Sequence, residues 1–305
     1  MEGNQQYTDD EIDLRELFDI LWAEKRLIVG ITAVAAVVSV IIALLLTDIY
    51  RAHTVLISAE EQQPANSLAG QYGGAAALLG VDIGAGAGGN INTAIAVMKS
   101  REFIGRFIDE HELLVPLFAG TWDGANETAG IDADVYDEAN DRWLLELGKP
   151  TRLEAYREFS EVLSISDPDT DTGVVTVSID WPNPYLASEW VNQFVFDINA
   201  AIRQRDVAEA TGAISYLESQ LGTTQLVEMQ RIFYQLIESQ TRIIMLADVR
   251  DEYVFRTIDP AVVPDRNDRV APKRALICIL GTMLGGMFSV LFVFGRRMFR
   301  PEGVS

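Results

Sequence analysis

The chain has 305 residues, with 24 Lys plus Arg against 45 Asp plus Glu and a formal net charge of −21. So acidic a chain lacks the basic face and counterion release on which nucleic-acid binding depends. Cys278 is its one cysteine, so no intrachain disulfide can form, and His53 and His111 are too few for a histidine-rich metal site. A mean hydropathy of +0.12 is high for this charge, so the apolar residues must be concentrated in particular windows.

The N-terminal segment, 1–26, carries Leu14, Leu17, Phe18, Leu21 and Trp22 at the spacing of one helix face. This predicts an amphipathic helix running into a membrane with Trp22 at the interface, serving as a surface anchor or as a docking helix for a partner. Leu27–Leu46 follows without one charged side chain. At 1.5 Å per residue it spans about 30 Å, the hydrocarbon thickness of a bilayer. It is longer than the apolar region of a signal peptide, its leader is acidic, and no small-residue cleavage site follows, so it reads as an uncleaved transmembrane helix.

Tyr50–Ser58 is β-rich and predicts a strand. The stretch Ala69–Asn90, with GAGAGG at Gly84–Gly89, has too few apolar side chains to offset ordering entropy and predicts a mobile loop. Asn92–His111 has helical spacing through Ile95, Met98, Phe103, Phe107 and Ile108, with Pro116 expected to end that unit. Thr121–Asn140 is polar and acidic and predicts an irregular or partly helical excursion.

Val162–Ile165 and Val174–Ile179 alternate as strands around a turn at Asp167–Gly173. Two helical stripes follow. The first runs through Trp190, Val191, Phe194, Ile198, Ala201 and Ile202, then Ile214, Leu217 and Leu221. The second uses Leu226, Met229, Phe233, Leu236, Ile243 and Ala247, with Gln240 interrupting. Gly222-Thr223-Thr224 separates them, predicting an antiparallel helical arm over about 185–256 with limbs of roughly 40–55 Å. Glu252–Ile258 predicts a returning strand, and Pro260, Pro264 and Pro272 stiffen the chain toward a second uncharged window, Ala275–Phe294.

These elements predict an α+β membrane protein, with two transmembrane helices (27–46 and 275–294) flanking a periplasmic α/β base that carries the arm. Lys25 and Arg26 before the first span, and Arg296, Arg297 and Arg300 after the second, place both termini in the cytoplasm. Lys273 and Arg274 on the other side make the second signal mixed. Residues 48–274 then face the periplasm and 295–305 form a short cytoplasmic tail.

Catalytic chemistry is not visible. The glycine run lacks the Gly-Lys-Ser/Thr ending of a phosphate loop. Asp167, Asp169 and Asp171 alternate like calcium ligands, but Thr172 and Ser178 stand where an EF-hand needs glycine and glutamate, so a hairpin turn with Gly173 at positive φ is expected. Asp132, Asp134, Asp137, Glu138 and Asp141 read as a solvated face. In the second span Gly281, Gly285 and Ser289 recur every four residues, the pattern of close helix contact. Their partner is the first span or another copy of the chain, unless the span is an anchor only. Replacing either glycine with Leu should disturb that packing, and Ala should be milder.

The segments Glu11–Trp22 with Lys25-Arg26, Ser100-Arg-Glu-Phe103, Asn192 with Ile198-Asn199 and Arg203, Ala247–Arg256, and Ile258-Asp-Pro-Ala-Val-Val-Pro264 leading through Pro272-Lys273-Arg274 to the glycine-bearing span resemble the polysaccharide co-polymerases of the O-antigen chain-length determinant (Wzz) type. Pro260, Pro264, Pro272, Lys273, Arg274, Gly281, Gly285 and Ser289 form the membrane and assembly motif of this reading. The resemblance implies a ring of identical subunits in the inner membrane of a Gram-negative bacterium, acting with the O-antigen polymerase on lipid-linked polysaccharide to set modal chain length. No enzymatic activity and no cofactor is expected. Larger relatives carry a cytoplasmic tyrosine kinase after the second span, which the short tail leaves no room for. An adaptor that activates a separate cytoplasmic tyrosine kinase in capsule or exopolysaccharide export is the alternative.

Overall fold

The computed structural model describes residues 22, 24–59, 91–224 and 226–298. The amphipathic helix expected before Trp22, the glycine-rich stretch 69–90 and the end of the tail lie outside the described residues. The chain divides into two units, 1–48 with 271–305, and 49–270.

The terminal unit contains α1 (Lys25–Leu45), and the chain then enters β1 (Ile49–Ser58) of the central unit. In β1, Tyr50, Ala52, Thr54 and Leu56 are buried while Arg51 and His53 face out, the two-residue period of a half-buried strand. Next come α2 (Ile91–Met98), α3 (Arg101–Glu110) and α4 (Leu114–Ala119). The single helical unit expected over 92–111 is therefore two helices. Ser100 breaks it: its backbone is extended and its hydroxyl accepts from the Phe103 N–H at 3.2 Å, an N-cap more favourable here than continued helix. Nor does Pro116 end the unit. Residue Glu110 is the last of α3, and Pro116 sits inside α4, whose first turn has no need of its missing N–H.

The acidic excursion is not irregular or helical. It forms two hairpins, β2 (Gly120–Asp123) with β3 (Thr128–Ile131), and β4 (Tyr136–Asp137) with β5 (Arg142–Trp143). Carboxylates organise the turns: Asp123 accepts from the Ala125 N–H at 2.9 Å and from Asn126 Nδ2 at 2.7 Å, and Asp137 accepts from Asn140 Nδ2 at 2.8 Å.

Then α5 (Arg152–Val162) runs directly into β6 (Leu163–Ile165), so Val162 closes a helix rather than opening a strand. A capping box starts α5, with Thr151 accepting from the Glu154 N–H and Glu154 accepting from the Thr151 N–H at 2.7 Å. After the turn at Gly173 (φ +68) comes β7 (Val175–Trp181). The long helix α6 (Pro184–Leu221) follows, capped by Asn183, and then α7 (Val227–Val249). These two pack as the expected hairpin. By rise alone α6 is about 57 Å long and α7 about 35 Å, so the limbs are unequal and the second is shorter than expected. The chain closes with β8 (Phe255–Asp259), β9 (Arg269–Ala271) and α8 (Arg274–Met298).

One sheet has the order β6-β7-β1-β8, with β9 also pairing β1. The β6–β7, β7–β1 and β1–β8 pairings are antiparallel, and a bulge interrupts the last between Val55 and Leu56. Helix α6 lies on β1 and β7. The core beneath it is aromatic. Phe194 of α6 meets Phe103 and Phe107 of α3 edge-on at 5.1 Å, and Phe107 meets Phe159 of α5 at 5.4 Å. Such contacts each add about 0.5–1.5 kcal/mol beyond area burial.

Candidate functional site

In the terminal unit α8 packs along α1. Gly281 faces Ser39 and Gly285 faces Ala35 so closely that a methyl group on either glycine would overlap the opposing Cβ. Ser289 is fully buried; its hydroxyl lies 3.5 Å from Thr32 Oγ1 and donates to the Gly286 carbonyl at 2.7 Å. The four-residue repeat of small side chains is thus one contact face, matched on α1 by Thr32, Ala35 and Ser39. The expected mildness of alanine at these glycines does not fit this geometry, since the first carbon of any side chain already collides. Outside the face, Val37, Leu44, Ile279, Met283 and Phe288 are exposed apolar side chains. Both helices are long and apolar enough to cross a membrane, where such a surface is satisfied by lipid.

Arg274, the first residue of α8, places Nη2 3.0 Å from Asp48 Oδ1 just beyond α1. The Lys273 carbonyl accepts from the Leu276 N–H at 2.9 Å, continuing the helix start behind Pro272. Pro260 and Pro264 belong to the central unit, in the irregular connection between β8 and β9. They are not part of the small-residue face.

What anchors the start of β8 and the connection after it is a pair of asparagines on α6, noted in the sequence only as part of a resemblance. The Asn199 amide pairs with the main chain at Val254 and Phe255, and Asn192 pairs with Ala261, accepting its N–H at 3.0 Å and donating to its carbonyl at 2.9 Å. Their seven-residue separation puts both on one helix face. That spacing could have been read beforehand, but not the strand they would meet.

Several charged groups outside these contacts make structural pairs. Arg51 donates to Asp180 through Nε and Nη2, both at 2.6 Å, directly across the β1–β7 register; this hydrogen-bonded pair raises the Arg51 pKa. Hydrogen bonding to Glu127 likewise raises that of Arg266. In the Asp167–Gly173 turn, Asp169 accepts from Thr172 Oγ1 at 2.7 Å and from the Thr172 N–H at 2.8 Å, which holds its carboxyl below the usual range. The acidic alternation is a turn, as expected. Among the described residues no group of three or more His, Cys, Asp or Glu side chains could hold a metal ion.

Two terminal apolar helices around a mixed helix-and-sheet domain define a membrane-anchored α+β protein. A family model described as chain length determinant protein (Wzz) matches residues 10–111, and one described as the G-rich domain on putative tyrosine kinase (GNVR) matches residues 225–298. Over residues 10–111, about a third of its length, the chain thus carries a Wzz-type chain length determinant domain. Among solved structures it is similar to a full-length bacterial polysaccharide co-polymerase, at 17% identity over 96% of this chain and 100% of that one, with a TM-score of 0.42. It is also similar to a fragment of WzzB, the polysaccharide co-polymerase of Salmonella Typhimurium, at 14% identity over 74% of this chain and 100% of that one, with a TM-score of 0.30. No curated protein matches the chain.

Proposed function

We propose that this protein is a non-catalytic regulator that sets the modal chain length of O-antigen or a related surface glycan. It works in the inner membrane as a ring of identical subunits, with its central domain periplasmic and both termini cytoplasmic. There it acts beside the membrane polymerase on lipid-linked polysaccharide. The observation that carries this reading is the chain length determinant match over residues 10–111, which takes in the first apolar helix, β1 and α3. Physical support comes from the absence of a catalytic constellation in the sequence and from a helix pair whose exposed surface suits lipid.

The match over residues 225–298 favours a second reading, an adaptor that activates a separate cytoplasmic tyrosine kinase during capsule or exopolysaccharide export. Deleting the gene and separating the cell's lipopolysaccharide by gel electrophoresis tests the first. Loss of the modal band, restored by the gene in trans, is the expected result. An unchanged ladder with reduced tyrosine phosphorylation of a capsule kinase would move the assignment to the adaptor.

A further inference from the structure

A cleft of about 460 Å³ opens in the central domain between the β2–β3 hairpin and the junction of β7 with α6. That lies within the roughly 300–1,000 Å³ range of small-ligand sites. Trp122, Trp181, Thr121, Asn183, Glu138 and Leu186 line it. Neither tryptophan is fully buried. Trp181 is backed by Trp190 at 5.1 Å and Trp122 is steadied by the Tyr185 ring at 5.9 Å, so both indoles are held in place at the cleft.

The polar side chain at the base is informative. Asn183 is only 6% exposed. Its Oδ1 is occupied, accepting from the N–H groups of Tyr185 at 3.0 Å and Leu186 at 3.4 Å as the cap of α6. Its Nδ2 meets no acceptor among the described residues. It is not a buried, stranded atom, so the amide N–H groups are open to the cleft, where a ligand oxygen can accept from them.

Indole faces, a free amide donor, a hydroxyl and one carboxylate are a set matched to a particular chemistry. The C–H bonds on one face of a pyranose carry partial positive charge and favour the electron-rich face of an indole. Its hydroxyls both donate and accept, and so can use Asn183 Nδ2, Thr121 Oγ1 and the Glu138 carboxylate together. Among the described residues Glu138 is the only charged one lining the cleft, and its negative charge disfavours phosphate or another anion. We infer that this cleft binds an uncharged sugar unit of the glycan, with Trp122 and Trp181 as stacking faces and Asn183 Nδ2 as the fixed donor. The inference rests on the reading of the protein as a regulator of glycan length.

The test uses the full chain in nanodiscs, titrated with oligosaccharides of one to three repeat units released by mild acid from the surface polysaccharide of the cell that makes it. Calorimetry and tryptophan fluorescence should both report saturable binding. Trp122→Ala should weaken it at least tenfold. Asn183→Asp keeps an oxygen to cap α6 but removes the Nδ2 donor, so it should weaken binding at least tenfold at an unchanged melting temperature. If the unaltered protein shows no saturable binding, or both variants bind within twofold of it, the cleft is not a sugar site. Scoring the deletion strain in parallel separates the two failures. An altered glycan ladder on deletion with unaltered binding in both variants overturns the cleft alone. An unaltered ladder overturns the regulator reading and with it the substrate class proposed here.

Discussion

The Asn199 side chain holds Phe255 at both ends of its main-chain unit, accepting the Phe255 N–H at 2.9 Å and donating to the Phe255 carbonyl at 3.0 Å. Its Oδ1 also accepts the Val254 N–H at 2.8 Å. A helix side chain here does the work of a neighbouring strand, pairing backbone groups of the edge strand β8 that would otherwise face a buried side chain with no partner. Asn199 is 4% exposed, so water cannot readily replace it.

Asn199→Ala should therefore lower stability by about 3 kcal/mol or more, because it strands two N–H groups and a carbonyl in the core. Asn199→Asp keeps the acceptor and loses the donor, and should be intermediate at neutral pH. Asn192→Ala removes the similar but half-exposed pair to Ala261 and should lower stability by about 1 kcal/mol. Denaturant melts of the three variants in one detergent give the order; equal losses at 192 and 199 would contradict it.

The helix pair yields a sharp contrast among glycines. Even Ala at Gly281 or Gly285 meets the opposing Cβ, whereas Gly286 has only ordinary contact distances, 3.8 Å to Thr32 Oγ1, and Gly295 faces open space. Gly281→Ala and Gly285→Ala should impair modal chain-length control at normal protein abundance, with Gly281→Leu and Gly285→Leu worse. Gly286→Ala and Gly295→Ala should be silent. Abundance is measured by immunoblot beside the glycan ladder, since destabilisation alone can mimic the phenotype. A normal ladder at normal abundance in Gly281→Leu/Gly285→Leu would leave α8 as an anchor only.

Topology can be read with fusions. A periplasm-active reporter joined after Ile57 or Ile179 should be active and one joined after Arg300 silent, as flanking charge and span length require. Activity after Arg300 would overturn the placement of both termini in the cytoplasm.

Assembly has its own signature. On the helical hairpin Phe196, Tyr216, Tyr234 and Met245 are each more than half exposed, at 63%, 57%, 64% and 64%. They are spread along the hairpin, and the ring of the proposed reading would bring a neighbouring copy against them. A closed homo-oligomer of cyclic symmetry is expected by light scattering in several detergents. Introducing Glu at Phe196 or Tyr234 should shift it toward monomer, and a wild-type monomer in every detergent would sink the ring.

The acid limb of stability should report the Asp169 turn. Hydrogen bonding to Thr172 lowers the Asp169 pKa in the folded protein. A lowered folded pKa stabilises above the unfolded value, near pH 4, and that stabilisation is lost as pH falls through the folded value. The difference in melting temperature between the native chain and Asp169→Asn should be constant from pH 7 to pH 5 and shrink below about pH 4. A difference that grows toward low pH would reverse the sign and exclude this turn as the source. Taking a difference removes the general relief of charge repulsion expected when so acidic a chain is protonated.

Features governed by short-range chemistry were legible in the residues themselves. The two apolar helices follow from windows with no charge and a length matched to a bilayer. Strand β1 follows from its alternation, the α6–α7 hairpin from its stripes and the Gly222 break, and the turn at Gly173 from its positive φ. The capping box at Thr151 and Glu154 was equally local and could have revealed α5. Tertiary structure alone decided that Gly281 and Gly285 lie on Ser39 and Ala35 of the same chain, that Asn199 reaches Phe255, that α3, α5 and α6 share one aromatic core, and that the acidic excursion folds into hairpins, the first of them packed on α4. The physical reason is separation along the chain. A small face, a buried amide or an exposed tryptophan states what it needs from a neighbour, but only the folded path determines which distant residue supplies it.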